Sequence, residues 1–199
     1  MVFQPLFPEA SSLATHSLRD LGFDQEIERR FDDLRARSPT ASVDWIPARV
    51  VSANRELYKV ATSDGVALAR PSGRLRRAGL PAVGDWVAVG DDGGGGFVLY
   101  GIVERRAVLS RNVAGQRTDE QIVAANVDIV FLVMGLDGDY NLRRLERFAV
   151  MTAESGADGV VVLTKADLAE DPVTAVLDAR GVVPGLPVFA VSALVGDGL

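Results

Sequence analysis

Two short polar motifs near the C-terminal end of the chain each follow an apolar run that reads as a buried strand. The motifs are Thr164-Lys165-Ala166-Asp167, after residues 160–163, and Ser192-Ala193, after residues 187–191. In a parallel sheet the carboxyl ends of neighbouring strands lie at one edge, and ligands bind outside that edge. We therefore expect the two motifs to face one crevice and to form one binding site.

The first motif has the side chains needed to select guanine. The carboxylate of Asp167 can accept hydrogen bonds from both N1–H and the exocyclic amino group of guanine. Adenine offers neither donor there and would leave the acid unpaired. The stem of Lys165 can lie across the plane of the base. Thr164 can tie neighbouring loops together through its hydroxyl, and Ala166 completes the loop.

The second motif would complete the pocket. The backbone N–H of Ala193 would donate to O6 of guanine, and Ser192 would brace the carboxylate of Asp167. Either motif alone is also compatible with an ordinary surface turn after a strand, and that alternative stays open for each of them separately. Their arrangement, after consecutive parallel strands separated by one helix, favours a shared nucleotide site.

No phosphate-binding loop of the type Gly-x-x-x-x-Gly-Lys-Ser/Thr occurs in the 199 residues. Such a loop supplies the backbone cradle and the lysine that hold the β- and γ-phosphates, and the hydroxyl that holds Mg²⁺. The four glycines at 93–96 are not followed by Lys-Ser/Thr and fit a hairpin tip instead. We therefore expect no catalytic residue in this chain, and no nucleotide hydrolysis by these residues alone.

The composition excludes several other kinds of site. The chain has 48% hydrophobic and 24% charged residues, one histidine (His16) and no cysteine. Disulfides and thiolate metal sites are therefore excluded, and one histidine argues against a histidine-rich metal site or a Ser-His-Asp triad. The longest apolar run, residues 129–134, is far too short to span a bilayer, and the N-terminus has no signal-peptide pattern. We expect a cytoplasmic protein with no metal site and no membrane contact.

The net charge is −6, but one stretch of the chain is basic. Residues 49–77 carry seven basic and two acidic side chains, a net charge of +5, so the remainder carries −11. A basic module within an acidic chain can dock on RNA. The candidate RNA-binding residues are Arg49, Lys59, Arg70, Arg74, Arg76 and Arg77.

The basic stretch has few aromatic side chains on which bases could stack. The candidates are Tyr58, Trp45 and Trp86. The apolar neighbours of Trp86 favour a position in the core rather than a stacking platform. The alternative interpretation of residues 70–77 is a solvated loop.

The first half of the chain predicts a helix and a small β-barrel. After a loose lead-in over residues 1–15, residues 24–37 have apolar side chains at helical spacing and end before Ser38-Pro39. Beyond Asp44, turn signals separate five short β segments. The segments are residues 48–51, 57–61, 66–70, 85–89 and 97–103. Five short strands in about 60 residues is what a small barrel of the OB type needs.

The second half predicts a partial α/β domain with a parallel sheet. Residues 129–134 form a continuous apolar run, which is typical of a strand buried on both faces. A helix and two further strands are predicted over residues 141–154, 160–163 and 188–191, and a short helix begins at Asp171-Pro172. A β-α-β-α-β series implies right-handed crossovers and a parallel sheet.

We expect three parts in the chain. They are residues 1–43 (lead-in and helix), 44–111 (OB-type barrel) and 112–199 (the leading, incomplete part of the α/β domain). A three-stranded parallel sheet buries little surface and leaves an apolar edge at its last strand. We expect that edge to be relieved by self-association or by disorder of the C-terminal part.

Five segments, taken in order, resemble the ribosome small-subunit-dependent GTPase A (RsgA/YjeQ) family, and the resemblance covers nearly the whole chain. The segments are Gly84-Asp85-Trp86-Val87, Ala124-Ala125-Asn126-Val127-Asp128, Asn141-Leu142-Arg143-Arg144-Leu145-Glu146-Arg147, Leu163-Thr164-Lys165-Ala166-Asp167-Leu168 and Val191-Ser192-Ala193. This ordered set is far more specific than any one motif. The chain departs from the family pattern at Thr164, where Asn is commoner.

The resemblance implies a circularly permuted P-loop GTPase, in which the base-reading loops precede the phosphate loop. It implies an N-terminal OB-type barrel on the 16S rRNA of the 30S subunit, and GTP hydrolysis stimulated by that particle late in its maturation. GTP or GDP with Mg²⁺ would be the ligands, and zinc would belong to a C-terminal domain outside these residues. We expect the intact protein to be a monomer and this chain to stop just short of the phosphate loop.

A second hypothesis remains open. The chain could be a non-hydrolysing module, in which the barrel docks on rRNA and a degenerate nucleotide-binding half domain serves as a scaffold. A gene that ends at Leu199 would favour this hypothesis, whereas a gene that continues into Gly-x-x-x-x-Gly-Lys-Ser would favour the GTPase.

Overall fold

The structure is a computed structural model that describes residues 17–38, 44–54, 56–112 and 120–199. The predicted lead-in over residues 1–15 lies outside these ranges, as do Pro39 and Arg55. The chain divides into two compact units. The first comprises Met1–Arg105 and Val123–Asn126, and the second comprises Arg106–Ile122 and Val127–Leu199.

Helix α1, Gln25–Ala36, begins where Asp24 caps it. The carboxylate of Asp24 accepts hydrogen bonds from the N–H groups of Glu26 and Ile27, both at 3.0 Å. These bonds satisfy two of the amides that a helix start leaves unpaired. Ile27 and Phe31, four residues apart, are buried in a core that also contains Trp86. The helix predicted from the spacing of its apolar residues is therefore confirmed.

Five strands of the first unit close into a barrel in the order β1-β2-β3-β5-β4. They are β1 (Ile46–Asn54), β2 (Leu57–Thr62), β3 (Gly65–Pro71), β4 (Trp86–Asp91) and β5 (Phe97–Ile102). β3 and β5 pair in parallel, and the other neighbours are antiparallel. Alternate side chains point inward, as the pleat requires, and Val50, Val60 and Leu99 fill the interior. The predicted barrel is confirmed.

Helix α2, Gly73–Ala78, lies between β3 and β4, and it corrects the interpretation of residues 70–77 as a solvated loop. The hydroxyl of Ser72 caps this helix by accepting the N–H of Leu75 at 3.2 Å. Leu75 is buried in the barrel core. It is the only buried residue among the six residues of α2. The segment therefore lacks the apolar residues at spacings of three and four that predict a helix from sequence.

Gly84 is a glycine because the backbone at Ala125 passes too close for a side chain. Its φ is +89°, and a Cβ at this position would lie 2.1 Å from the carbonyl oxygen of Ala125. The N–H of Ala125 donates to the carbonyl of Val83 at 2.9 Å, and the side-chain amide of Asn126 donates to the carbonyl of Gly84 at 3.1 Å. Two segments far apart in sequence therefore meet within the first unit.

A two-stranded pair, β6 (Val108–Asn112) and β7 (Glu120–Ala125), follows the barrel strands in the chain. The sequence did not predict this pair, because polar and charged residues interrupt both segments. Among the described residues, no helix is long and apolar enough to cross a membrane.

Three parallel strands form the sheet of the second unit in the order β10-β9-β8. The strands are β8 (Ile129–Gly135), β9 (Asp158–Thr164) and β10 (Val188–Ala190), and the helices between them are α3 (Leu142–Ser155) and α4 (Pro172–Val182). Asn141 caps α3, and Asp171 caps α4 with Pro172 at its first position. The predicted β-α-β-α-β series is confirmed.

One face of this sheet is uncovered, which corrects the expectation that residues 129–134 are buried on both faces. Leu132 and Met134 are buried, whereas Ile129, Phe131 and Val133 are 50%, 62% and 59% exposed. The strand therefore alternates as a half-buried strand does. Phe189 of β10 is 55% exposed as well.

Candidate functional site

The two predicted motifs lie at one edge of the parallel sheet. Ala190, the last residue of β10, is paired with Leu163, next to the end of β9. The N–H of Val191 donates to the carbonyl of Leu163 at 2.8 Å, and the N–H of Ala166 donates to the carbonyl of Val191 at 3.1 Å. The loops that leave the two strands are thus joined by backbone hydrogen bonds.

Thr164 links the first motif to the neighbouring strand β8. It lies opposite Gly135 in the β8–β9 register, and its hydroxyl is 3.4 Å from the carbonyl of Met134, a long hydrogen bond. Its own carbonyl accepts the N–H of Leu136 at 2.8 Å. Ala166 is buried beneath the loop. Thr164 therefore ties β8 to β9, and the tie between the two motifs comes from the backbone of Ala166.

Asp167 and Ser192, one residue from each motif, are in direct contact. The hydroxyl of Ser192 donates to Oδ1 of Asp167. Ser192 is 1% exposed, whereas Asp167 is exposed. Within the described part of the chain, Oδ2 of Asp167 has no partner. The carboxylate is therefore held on one oxygen and open to solvent on the other.

The loop after β10 folds back on itself and fixes Ser192. The N–H of Ser192 donates to the carbonyl of Asp197 at 2.9 Å, and the N–H of Val195 lies 3.4 Å from the hydroxyl of Ser192. A Cβ at Gly198, where φ is +72°, would lie 2.5 Å from the carbonyl of Ala190. Ala193 is exposed, and in the described ranges its N–H has no acceptor.

Lys165 adopts an unusual backbone conformation for a lysine. Its φ and ψ are 59° and 40°, in the left-handed region, and Asn126 is the other described non-glycine residue with a positive φ. Its ammonium donates to Oδ2 of Asp137. The hydrogen bond from Lys165 lowers the pKa of the Asp137 carboxyl, and Asp137 in turn raises the pKa of the ammonium.

Asp137 is a residue of this site that the sequence reasoning missed. It follows β8 by two residues, and β8 is the neighbour of β9 in the sheet. Its Oδ1 accepts the N–H of Asp139 at 3.1 Å, and Oδ2 accepts the ammonium of Lys165. The sequence did contain a signal for Asp137. The motifs after β9 and β10 were identified because they follow the ends of strands, and β8 ends at the same edge of the sheet.

The arrangement can bind a flat base that presents two adjacent donors next to an acceptor. It offers an open carboxylate oxygen on Asp167 and, within the described residues, a backbone amide at Ala193 without an acceptor. No group of three His, Cys, Asp or Glu residues converges anywhere in residues 17–38, 44–54, 56–112 and 120–199. The sequence also has no cysteine.

The candidate RNA-binding residues fall into two groups. Arg49 is engaged within the first unit: its guanidinium donates to the carbonyls of Leu21 and Asn126 and lies 5.5 Å from the ring centroid of Trp86. Arg76 donates to the carbonyl of Pro71 at 3.3 Å and pairs with Glu56 at 3.5 Å. The other exposed members are Lys59, Arg70, Arg74 and Arg77. Of these, Arg70 is close enough to Asp92 to contribute to the lowered pKa of that carboxyl.

The candidate stacking aromatics are inside the fold. Tyr58, Trp45 and Trp86 are 2%, 5% and 1% exposed. Trp86 packs edge-on against Phe23 with ring centroids 5.0 Å apart, in keeping with the core position that its neighbours favoured. None of these three side chains is accessible for stacking on a base.

A family model described as RsgA GTPase matches residues 102–199 of the chain. Curated relatives match nearly all of it. The small ribosomal subunit biogenesis GTPase RsgA of Opitutus terrae is 39% identical over 197 residues, which is 92% of this chain and 52% of that protein. The protein of the same name from Streptomyces coelicolor is 39% identical over 198 residues, 95% of this chain and 51% of that protein. The chain thus spans about half the length of the curated relatives it matches.

Two solved structures have a similar fold. One is YjeQ from Thermotoga maritima, with a TM-score of 0.61 and 24% identity over 78% of this chain and 54% of that one. The other is YloQ, described as a circularly permuted GTPase, with a TM-score of 0.54 and 23% identity over 76% of this chain and 53% of that one. At these identities the likeness supports the fold.

Proposed function

The chain belongs to the RsgA family of GTPases, and on that premise we propose that the edge formed by the two motifs reads the guanine of GTP and GDP. The observation that carries the proposal is the contact between Asp167 and Ser192. It fixes one carboxylate oxygen and leaves the other open at the end of a strand, where sheets of this kind bind ligands.

Each residue of the edge has a role in this proposal. Asp167 accepts N1–H and the amino group of guanine, the free N–H of Ala193 donates to O6, and the stem of Lys165 packs on the base. Thr164, Ala166 and Ser192 hold these groups in place. Adenine is rejected because it would leave the carboxylate without donors.

We propose that the whole protein hydrolyses GTP with Mg²⁺ while it assists the assembly of the small ribosomal subunit in the cytoplasm. Its relatives carry the name of small ribosomal subunit biogenesis GTPases. The 199 residues contain no phosphate-binding loop, so the contacts they offer to a nucleotide are contacts to its base. We therefore propose that these residues alone do not hydrolyse GTP, and that zinc is not among their ligands.

Guanine recognition is tested by titrating the isotope-labelled chain with GMP and with AMP and following the amide resonances by NMR. GMP should shift the amides of residues 164–168 and 192–194, and AMP at the same concentration should not. Asp167→Ala should remove the response. Glu170→Gln, which alters an exposed carboxylate three residues further on, should preserve it. Equal responses to the two nucleotides would contradict the proposal.

We propose that the barrel contacts the 16S rRNA of the 30S subunit through the exposed basic residues of β2, β3 and α2. The four are Lys59, Arg70, Arg74 and Arg77. Because their neighbouring aromatics are buried, binding should be electrostatic and should weaken steeply with salt.

Cosedimentation with purified 30S subunits tests this contact. Replacing Arg70, Arg74 and Arg77 by glutamine should lower the affinity by at least about tenfold and flatten its dependence on salt. A control with the same loss of charge replaces Arg19, Arg29 and Arg37, which are also exposed. Equal losses in the two triple variants would show that net charge, and not this surface, governs binding.

A further inference from the structure

The ammonium of Lys165 is paired with an acid that follows the neighbouring strand β8, and not with the acid in its own loop. It binds Asp137, from the loop after β8, whereas Asp167, two residues away in its own loop, receives the hydroxyl of Ser192 instead. An open carboxylate oxygen beside an unheld lysine would attract that lysine, because opposite charges within about 4 Å attract even near the surface. In the structure, Asp137 is the group that holds this ammonium.

Asp137 is itself held in place. Its Oδ1 accepts the N–H of Asp139 at 3.1 Å, which leaves Oδ2 for the lysine. A Cβ at Gly135 would lie 2.8 Å from Oδ1, so the carboxylate packs tightly against the end of β8. Asp137 is 29% exposed and Lys165 is 55% exposed. The acid is thus the fixed partner of the pair, and the flexible lysine stem is the part that it orders.

The backbone of Lys165 adds independent support. A lysine in the left-handed region is strained relative to a glycine there. Such strain is concentrated at functional sites, where the side chain is needed in a particular direction. Here the residue with the strained backbone is the one whose ammonium binds Asp137 after the end of β8.

We propose that Asp137 is a positioning residue for guanine recognition: by holding the ammonium of Lys165 it keeps that cation off Asp167 and lays the lysine stem along the edge where the base packs. This inference rests on the proposed function of the edge. It adds that specificity depends on a residue that never touches the base, since Asp137 acts through Lys165. Loss of Asp137 should weaken the binding of guanine for two reasons. The stem of Lys165 would no longer be held in place, and its ammonium could pair with the carboxylate of Asp167.

The test compares Asp137→Asn with Asp139→Asn in the GMP and AMP titration. Both changes remove one negative charge from the same loop. Asp139 pairs with Arg144 at 2.8 Å and acts on Lys165 only through a weaker electrostatic attraction than that of Asp137. The hydrogen bond that its backbone N–H donates to Asp137 survives the substitution. Asp137→Asn should raise the dissociation constant for GMP about threefold to tenfold, the range expected for a partly exposed ion pair that also orders a side chain. Asp139→Asn should change it much less, because Asp139 makes no hydrogen bond to Lys165 and attracts it more weakly.

A double-mutant cycle separates positioning through Lys165 from a general structural role. If Asp137 acts through the lysine, Asp137→Asn should cause no further loss in a Lys165→Met background. Additive losses of affinity in the double variant, or equal effects of the two aspartate variants, would overturn the inference. The proposed function would still stand in that case if the unmodified chain bound GMP in preference to AMP. Absence of any GMP response in the unmodified chain would overturn both.

Discussion

Arg105 and Asp85 form a two-pronged ion pair in the first unit. Nε and Nη2 of Arg105 each lie 2.7 Å from an oxygen of the Asp85 carboxylate, which is completely buried. The same carboxylate accepts the N–H of Ala82 at 2.7 Å. A buried acid with all its partners in place is tolerated, but one that loses its cation becomes an uncompensated buried charge.

Arg105→Met should therefore destabilise the first unit by about 3 kcal/mol, because it removes the cation and leaves the buried carboxylate. Urea unfolding of the chain measures the change. Arg29→Met, on the exposed face of α1, should have little effect. Adding Asp85→Asn to the Arg105 variant should restore part of the stability, and a double variant weaker than the single one would contradict this account.

Gly84→Ala should cost more stability than its backbone angle alone explains. Gly84 and Gly93 have similar positive φ angles, +89° and +78°, but nothing lies within 4 Å of a Cβ at Gly93. Gly93→Ala should therefore cost only the strain of an alanine in the left-handed region, on the order of 1 kcal/mol. Gly84→Ala should cost at least about 3 kcal/mol, since it also collides with the Ala125 carbonyl. Equal free energies of unfolding for the two variants would rule out the close approach.

Asp167→Asn should change which base is bound. The amide oxygen of an asparagine can still accept a hydrogen bond from N1–H of the base. Its amino group, however, faces the substituent at C2, where the second carboxylate oxygen of Asp167 acted as an acceptor. Guanine has an amino group there and xanthine has a carbonyl, so the variant should favour XMP over GMP. The amide titration used for GMP and AMP measures this directly. A variant that still prefers GMP would exclude the proposed role of this carboxylate.

The pairing of Lys165 with Asp137 should persist across neutral pH and fail in acid. The pKa of Asp137 is lowered from its ordinary 3.8, chiefly by Lys165, and the pKa of Lys165 is raised from its ordinary 10.5. Because the pKa of this carboxyl is lowered in the folded chain, the favourable interaction is fully present at a pH above the ordinary pKa. It is lost as the pH falls through the lowered pKa of the folded state. The ammonium remains charged throughout, because its pKa is raised.

A carbon-13 titration of the lysine Cε resonances checks this expectation. The Lys165 resonance should be constant between about pH 5 and pH 9 and should move in acid as Asp137 is protonated. Lys59, an exposed lysine of β2, provides the comparison and should show no acid transition. If the two lysines behaved alike, the pair would not exist in solution.

The sequence predicted best where one signal was sufficient. Alternation and turns identified the barrel strands, and the spacing of Ile27 and Phe31 identified α1. Polar residues directly after apolar runs located the loops at Asp167 and Ser192. Each of these features depends on residues close together in the chain, which is where a linear pattern carries information.

The features that the sequence did not predict depend on contacts between distant residues. α2 is stabilised by a single buried side chain, Leu75. The contact of Gly84 with Ala125 joins segments about 40 residues apart, and a glycine pattern alone does not identify its partner. Asp137 follows the end of β8, which was a usable signal, but its contact with Lys165 in the loop after β9 depends on β8 and β9 being neighbours in the sheet.

The uncovered face of β8 also changes how the second unit should respond to heat and denaturant. Ile129, Phe131 and Val133 are already half exposed or more in the folded chain, so unfolding brings less new apolar surface into contact with water. The heat-capacity increment and the urea m-value both scale with that newly exposed surface. Both quantities should therefore be smaller for this unit than its number of residues implies, and its stability curve should be correspondingly flat.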